Sequence, residues 1–254
     1  MTSKAIVLGC GPAGLMAAHA ALMGGFDDVR IYSKPRKSYM NGAQYLHAPI
    51  PGITNVADVF NVEYQLWGST LDYRTKVYDA DYDGTVSPQE LESDHLAWDI
   101  RKTYDSLWSI YKPFIRSFDA GHDMEKVMGL GADLVVSSIP LPAICNSFSH
   151  GFKSTKVWSG EHQMIPLHPD NTVVCNGNAS PAWYRSASIQ GHVTTEWPQS
   201  TKPPVFPLWE VEKPVATNCD CWPSVLRVGR YGSWRKGVLS HQAYGEVLEL
   251  AQAA

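Results

Sequence analysis

No stretch of the 254 residues approaches the ~20 consecutive apolar positions that a membrane-crossing helix requires. Nor is there an excess of one charge: 21 basic against 25 acidic residues give a formal charge of −4. A global field that would attract nucleic acid or an anionic bilayer is therefore missing, although Lys34-Pro35-Arg36-Lys37 forms a local basic patch. Cysteine is scarce as well. Five thiols, an odd number scattered from Cys10 to Cys221, exclude the dense disulfide framework of a small secreted domain. No basic segment followed by an apolar leader precedes the first strand, so the expected location is the cytoplasm. Internal repeats and low-complexity tails are missing too.

What is there begins as a βαβ unit. Residues 4–8 are a short apolar run, 12–23 have helical composition and 28–32 form a second strand candidate. Residues 35–52 are rich in Pro, Gly and polar side chains and predict a long loop next to the first turn. The spacing of Trp98, Ile100, Tyr104, Leu107, Trp108, Tyr111 and Ile115 predicts a helix over 88–118, broken only near Pro113. Residues 130–140 end an apolar strand in proline, as a buried parallel strand would. From 156 to 234 short runs separated by turn residues predict antiparallel strands, and 240–251 closes the chain as a helix.

Between the first strand and first helix lies Gly9-Cys10-Gly11-Pro12-Ala13-Gly14. In a strand-turn-helix, each glycine of GxGxxG has its own task. The first makes the tight turn, the second lets the backbone approach a pyrophosphate, and the third lets helix and strand pack closely. Pro12 suits the first helical turn, where its missing N–H costs nothing. The carboxylate that normally ends the second strand and binds a ribose is replaced by Ser33 and Lys34. That pair suits either the 2′-phosphate of NADP or an FAD whose ribose is held differently.

The variant GxGPAGL resembles the FAD-binding start of the glutathione-reductase-like flavoproteins. Asp133-Leu134-Val135-Val136-Ser137-Ser138-Ile139-Pro140 resembles the strand that passes beneath the flavin in the amine-oxidase and UDP-galactopyranose-mutase branch. Gly229-Arg230-Tyr231-Gly232-Ser233-Trp234 is similar to the "GR-aromatic-G" turn with which that branch returns to FAD. As a whole the chain resembles short flavoprotein-like proteins of bacteriophages. The resemblance covers about a third of the sequence. It implies that Gly9, Gly11 and Gly14 meet the pyrophosphate and that Gly229, Arg230 and Gly232 close on it from the other side; Pro12, Ala13, Ser33, Lys34, Ser138 and Trp234 complete the candidate cofactor-binding set.

Other clusters carry chemistry of their own. Residues 79–90 match the twelve-position calcium loop, but the stretch before it makes a poor entering helix and Ser87-Pro88-Gln89-Glu90 is a helix-capping box, so a polar turn leading into the helix is the favoured reading. Cys145, His150, Cys219 and Cys221 can supply a tetrahedral zinc site if their two segments meet. Gln44 and His47, in the loop after the cofactor unit, and Arg185 on a predicted strand are the candidate catalytic, substrate-side residues. The alternation of Trp183-Tyr184-Arg185 predicts Tyr184 on one face and its neighbours on the other.

The expected fold is α/β: a Rossmann-like FAD/NAD(P)-binding lobe (1–55, 120–145 and 225–254), a helical segment (56–119) and an antiparallel substrate lobe (146–224). The expected activity is FAD-dependent oxidation of a C–N or C–O bond in a small polar molecule. The alternatives are an NADP-dependent reductase, a phage flavoenzyme acting on an amino-modified base in DNA, and a non-catalytic metal-stabilised binding protein.

Overall fold

The computed structural model describes residues 3–36, 40, 44–78, 94–166 and 169–253. The calcium-like loop and its capping box lie outside the described residues. Contacts divide the chain into two units: 1–55 with 100–154 and 214–254, and 56–99 with 155–213.

The first unit is built on a five-stranded sheet ordered β12-β6-β1-β2-β5, with every pairing parallel. Its strands are β1 (Lys4–Leu8), β2 (Asp28–Ser33), β5 (Ile115–Ser117), β6 (Leu134–Ser137) and β12 (Val225–Arg227). Leu8 stands beside Tyr32 on one side and Ser137 on the other, and Ser137 stands beside Arg227. The carboxyl ends of four strands thus lie in one row. The chain leaves β1 towards β2, whereas β6 takes the opposite flank, which makes the β1/β6 gap a topological switch point where α/β sheets bind ligands.

Helix α1 (Pro12–Met23) covers this sheet with Leu15, Met16, Ala17, Ala18, Ala20 and Ala21 fully buried. Burial of Leu15 and Met16 contributes about 1.5–3 kcal/mol each. The alanines let other helices come close, and a β-carbon on Gly24 would collide with Ala251. His19 sits on the same helix with Nδ1 2.8 Å from the Tyr111 hydroxyl and Nε2 2.9 Å from the Pro51 carbonyl. Only an N–H can serve the carbonyl, so Nε2 carries the proton and Nδ1 accepts from Tyr111.

The expected helix over 88–118 is shorter. Residues His95–Ala97 form β4, helix α3 runs Ile100–Tyr111, and a 3-10 turn (Lys112–Phe114) that contains Pro113 leads into β5. Proline cannot donate to the preceding turn, so the helix stops before it. The remaining helices are α2 (Thr70–Tyr78), α4 (Ala120–Met128), α5 (Gly229–Ser233) and α6 (Gln242–Ala253).

The second sheet has seven strands in the order β11-β7-β10-β9-β8-β3-β4. They are β3 (Phe60–Trp67), β7 (Phe152–Gly160), β8 (Thr172–Asn176), β9 (Arg185–Ile189), β10 (His192–Pro198), β11 (Leu208–Thr217) and the β4 already given. Most of it is antiparallel as expected, but β3 pairs parallel with β8. The α/β expectation, a parallel nucleotide-type sheet with a second sheet beside it in sequence, is met.

A charged cluster lies inside the second unit. Glu196, 1% exposed, accepts from Arg185 at 2.7 Å, Lys213 at 2.7 Å and the Tyr184 hydroxyl at 2.8 Å. Burial alone would raise its carboxyl, but the Arg185 and Lys213 charges hold it at about 2. A depressed folded value means stabilisation that is complete above the unfolded value and is lost as pH falls through the folded one. We expect urea midpoints of the wild type to drop between about pH 4.5 and pH 2. Glu196→Gln, which leaves two cations buried without a counter-charge, should cost roughly 3–5 kcal/mol at neutral pH and flatten that acid dependence. Identical acid sensitivity in both proteins would refute this account.

Candidate dinucleotide site

The turn after β1 follows the glycine logic position by position. Gly9 has φ +100° and donates its N–H to the Tyr32 carbonyl at 2.8 Å. A β-carbon on Gly14 would run into the Gly9 carbonyl and the Ser138 hydroxyl. At Gly11, by contrast, a β-carbon would meet nothing within 4 Å among the described residues, which leave the ground above it open. Gly11 is also the N-cap of α1, in extended conformation, with no side chain capping the helix and no acidic residue in its first turn. The free amides of that turn and the helix dipole therefore favour an anion at this end.

Two further segments are brought onto this turn within the same unit. Ser138 donates its amide to the Leu8 carbonyl at 2.8 Å and its hydroxyl to the same oxygen at 3.1 Å. Gly229, at φ +69°, comes so close to Ala13 that a β-carbon on it would lie 2.7 Å from the alanine methyl. Gly232 packs on the Ser137 carbonyl just as tightly. The Ser137 hydroxyl, at the switch point, is buried without a hydrogen-bond partner among the described residues. The structure thus brings together Gly9, Gly11, Pro12, Ala13, Gly14, Ser138, Gly229 and Gly232.

Arg230 and Trp234 follow that turn but are engaged elsewhere. The Arg230 guanidinium donates to the Pro214 carbonyl from Nε at 3.2 Å and from one Nη at 3.0 Å. Trp234 is buried, caps α5 in the left-handed region and donates Nε1–H to the Lys153 carbonyl at 3.0 Å.

At the end of β2 the Ser33 hydroxyl accepts the Cys10 N–H at 3.1 Å, and the Lys34 carbonyl lies 3.5 Å from the Cys10 thiol. The Cys10 carbonyl in turn accepts from Tyr104 at 2.8 Å, and burial pushes the Tyr104 hydroxyl up to about 12. Arg36 was visible in the sequence only as one of three clustered cations. It stacks over Tyr104 at 4.5 Å and Trp108 at 5.2 Å and pairs with Asp105 at 2.5 Å.

Gln44 and His47 belong to the same unit. His47 is exposed, with its ring 4.7 Å from Tyr45 and 5.8 Å from His241, whose imidazole burial depresses. Arg185 belongs to the other unit, committed through one Nη to Glu196, while its buried Nε has no hydrogen-bond partner among the described residues. The alternating faces expected for Tyr184 and Arg185 do not arise. β9 starts at Arg185, so Tyr184 lies before the strand and both side chains reach Glu196.

A second group of site residues also converges. Cys145, His150, Cys219 and Cys221, all in the first unit, place their ligand atoms within 4.8 Å of one another, a donor set able to hold a metal ion. Burial pushes the Cys219 thiol up to about 11. Burial opposes ionisation of Cys221 too, yet the Asn146 amide and the adjacent thiols hold it below the usual thiol range.

No protein-family model matches the sequence, and no curated protein is similar to it in sequence. The fold does have solved counterparts. Reduced UDP-galactopyranose mutase superposes with TM-score 0.61 at 11% identity, covering 99% of this chain and 93% of that one. For 2,6-dihydroxypyridine-3-hydroxylase from Arthrobacter nicotinovorans the TM-score is 0.58 at 11% identity, with 99% and 84% covered. BrvH, a flavin-dependent halogenase from Brevundimonas sp. BAL3, gives 0.51 at 13% identity, with 100% and 72% covered. The chain has the fold shared by these proteins over essentially its whole length.

Proposed function

We propose that the protein is an FAD-dependent oxidoreductase acting on a C–N or C–O bond of a small polar substrate. The observation that carries this reading is the open ground at Gly11, before an uncapped helix N-terminus, with the Gly229 turn packed against Ala13. The residues present fit the group. Gly11, Ala13 and Gly14 offer backbone amides to the pyrophosphate, and the unpaired Ser137 hydroxyl supplies a further polar contact at the switch point. The likeness in fold to a flavin-dependent halogenase supports the same cofactor class. Bound there, FAD would supply the two-electron acceptor that no amino-acid side chain provides.

The chain's own residues would then bind, orient and protect. Gln44 offers a neutral amide to the flavin or the substrate, and His47 a group able to take up a proton near neutrality. Arg185 retains an unsatisfied Nε–H, which makes it the candidate for an anionic or carbonyl group of the substrate. Cytoplasmic location and action on a small molecule rather than on a macromolecule complete the reading. Resident NADP instead of FAD is the second reading, favoured by the missing carboxylate at Ser33 and the cation Lys34 beside it.

The visible spectrum of protein purified without added cofactor tests this directly. Oxidised flavin bands, and FAD in the extract after denaturation, are expected. A colourless chain that takes up no FAD on incubation sinks the proposal, and uptake of NADPH alone selects the second reading. Gly11→Val should leave the urea midpoint nearly unchanged and weaken FAD binding at least about tenfold, since only the approach of the ligand is blocked. Gly14→Val should instead destabilise the apoprotein, because its side chain has no space even without cofactor.

A further inference from the structure

Away from the nucleotide turn, Cys145 and His150 lie in the segment after β6, and Cys219 and Cys221 in the loop between β11 and β12. The separations are informative. Cys145 Sγ lies 3.7 Å from Cys221 Sγ and 3.3 Å from His150 Nδ1, and Cys221 Sγ lies 3.4 Å from the same nitrogen. An ion ~2.3 Å from sulfur and ~2.0 Å from nitrogen at the centre of a tetrahedron sets edges of about 3.8 Å (S–S) and about 3.5 Å (S–N). Cys145, Cys221 and His150 already stand close to three corners of such a figure, and Cys219 Sγ lies within 4.8 Å of each of them.

The surroundings match ligation as well. His150 turns Nδ1 to the thiols and places Nε2 3.2 Å from Asp220, a carboxylate that fixes the tautomer with Nδ1 free to bind. The Cys221 amide N–H donates to the Cys219 sulfur and the Asn146 amide to the Cys221 sulfur, as thiolate ligands require. The Asn146 side-chain oxygen, 2.8 Å from Cys221 Sγ, accepts the thiol proton of the metal-free chain, and a turn of the amide presents its NH2 to a thiolate. Arg227 grips the carbonyls of Cys219 and Cys221 together. Trp222 donates to the Ile144 carbonyl at 2.8 Å, Thr217 to the Gly151 carbonyl at 2.9 Å, and the Gly151 amide to Asn218 at 2.7 Å. Cys219 and Cys221 are buried within the core that holds Val135, Leu141, Ile144, Val225 and Trp234.

We propose that Cys145, His150, Cys219 and Cys221 bind one Zn²⁺ in a closed, four-ligand structural site that pins the β11–β12 loop to the segment after β6. With all four positions taken by protein, no place is left for a water or substrate, so the ion stabilises rather than catalyses. Its contribution is folding free energy delivered next to β12 and the turn that begins at Gly229. The inference is independent of the nucleotide proposal, because metal content is read with or without flavin.

Elemental analysis of the chain isolated in zinc-supplemented medium without chelator should give about one zinc per chain, released when a mercurial blocks the thiols. Cobalt(II) added to the stripped protein should produce the strong visible bands of a tetrahedral site together with a thiolate charge-transfer band. The double variant Cys219→Ser/Cys221→Ser should lose the metal and melt about 10 °C lower, while His150→Cys, which keeps four ligands, should retain it. A wild-type chain with no more than trace zinc and no cobalt bands overturns the proposal. So does a Cys145–Cys221 disulfide in freshly isolated protein, or unchanged metal in the double variant.

Discussion

Backbone meets backbone where β1, β6 and β12 end, and the rest of the first unit is arranged around that contact. Gly14 lies against the Gly9 carbonyl and Ser138, Gly232 against the Ser137 carbonyl, and Gly229 against Ala13. Any side chain at these three glycines would have to displace main chain, which a packed interior resists. Once the contact is made, α1 has no freedom to slide, and its first amides face the switch point. The same closeness leaves the Ser137 hydroxyl buried and unpaired, a cost of about 1–3 kcal/mol that a polar ligand would remove.

The parts of this arrangement that depend on neighbouring residues were legible in the sequence. β1 and α1 run over the residues expected, and β2 extends one residue further, to Ser33. β3 was hidden in a stretch taken as helical, although Val62, Tyr64 and Leu66 alternate with Asn61, Glu63 and Gln65. Alternation over so short a run competes with helix-compatible composition, and its parallel partner β8 lies more than a hundred residues away. β12 was likewise one more short run among antiparallel strands, and only its place beside β6 makes it parallel. The Cys/His cluster shows the same limit. Its four residues were visible, but nothing local says that a loop at 217–222 returns to 144–151; that follows from β12 pairing with β6.

The two units solve the problem of buried polarity differently. In the first, main-chain groups dominate: strand-end carbonyls accept from Ser138 and Val228, the Cys10 carbonyl in the turn accepts from Tyr104, and amides point at the thiol cluster. The second buries full charges, with Glu196 balanced by Arg185 and Lys213 and by the Tyr184 hydroxyl. Arg185 and Glu196 face each other directly in the β9–β10 register, so strand pairing itself delivers the ion pair. Removal of either partner is costly, whereas the intact set leaves one donor, Arg185 Nε, still to be satisfied.

The end of β2 bears on which nucleotide the proposed site would take. A carboxylate there would accept both ribose hydroxyls, but Ser33 spends an acceptor lone pair on the Cys10 amide and carries no charge. Sugar recognition is therefore weak at this position, and affinity has to come from the pyrophosphate side, where Gly11 is open. The neighbouring cation does not reverse that balance. Arg36 lies over Tyr104 and Trp108 with Asp105 at 2.5 Å, so a 2′-phosphate would have to displace a carboxylate already in contact with the guanidinium. Such a displacement forfeits much of the gain from a new ion pair. A nucleotide without that phosphate leaves Arg36 as it is, so Arg36 itself gives no preference for NADP.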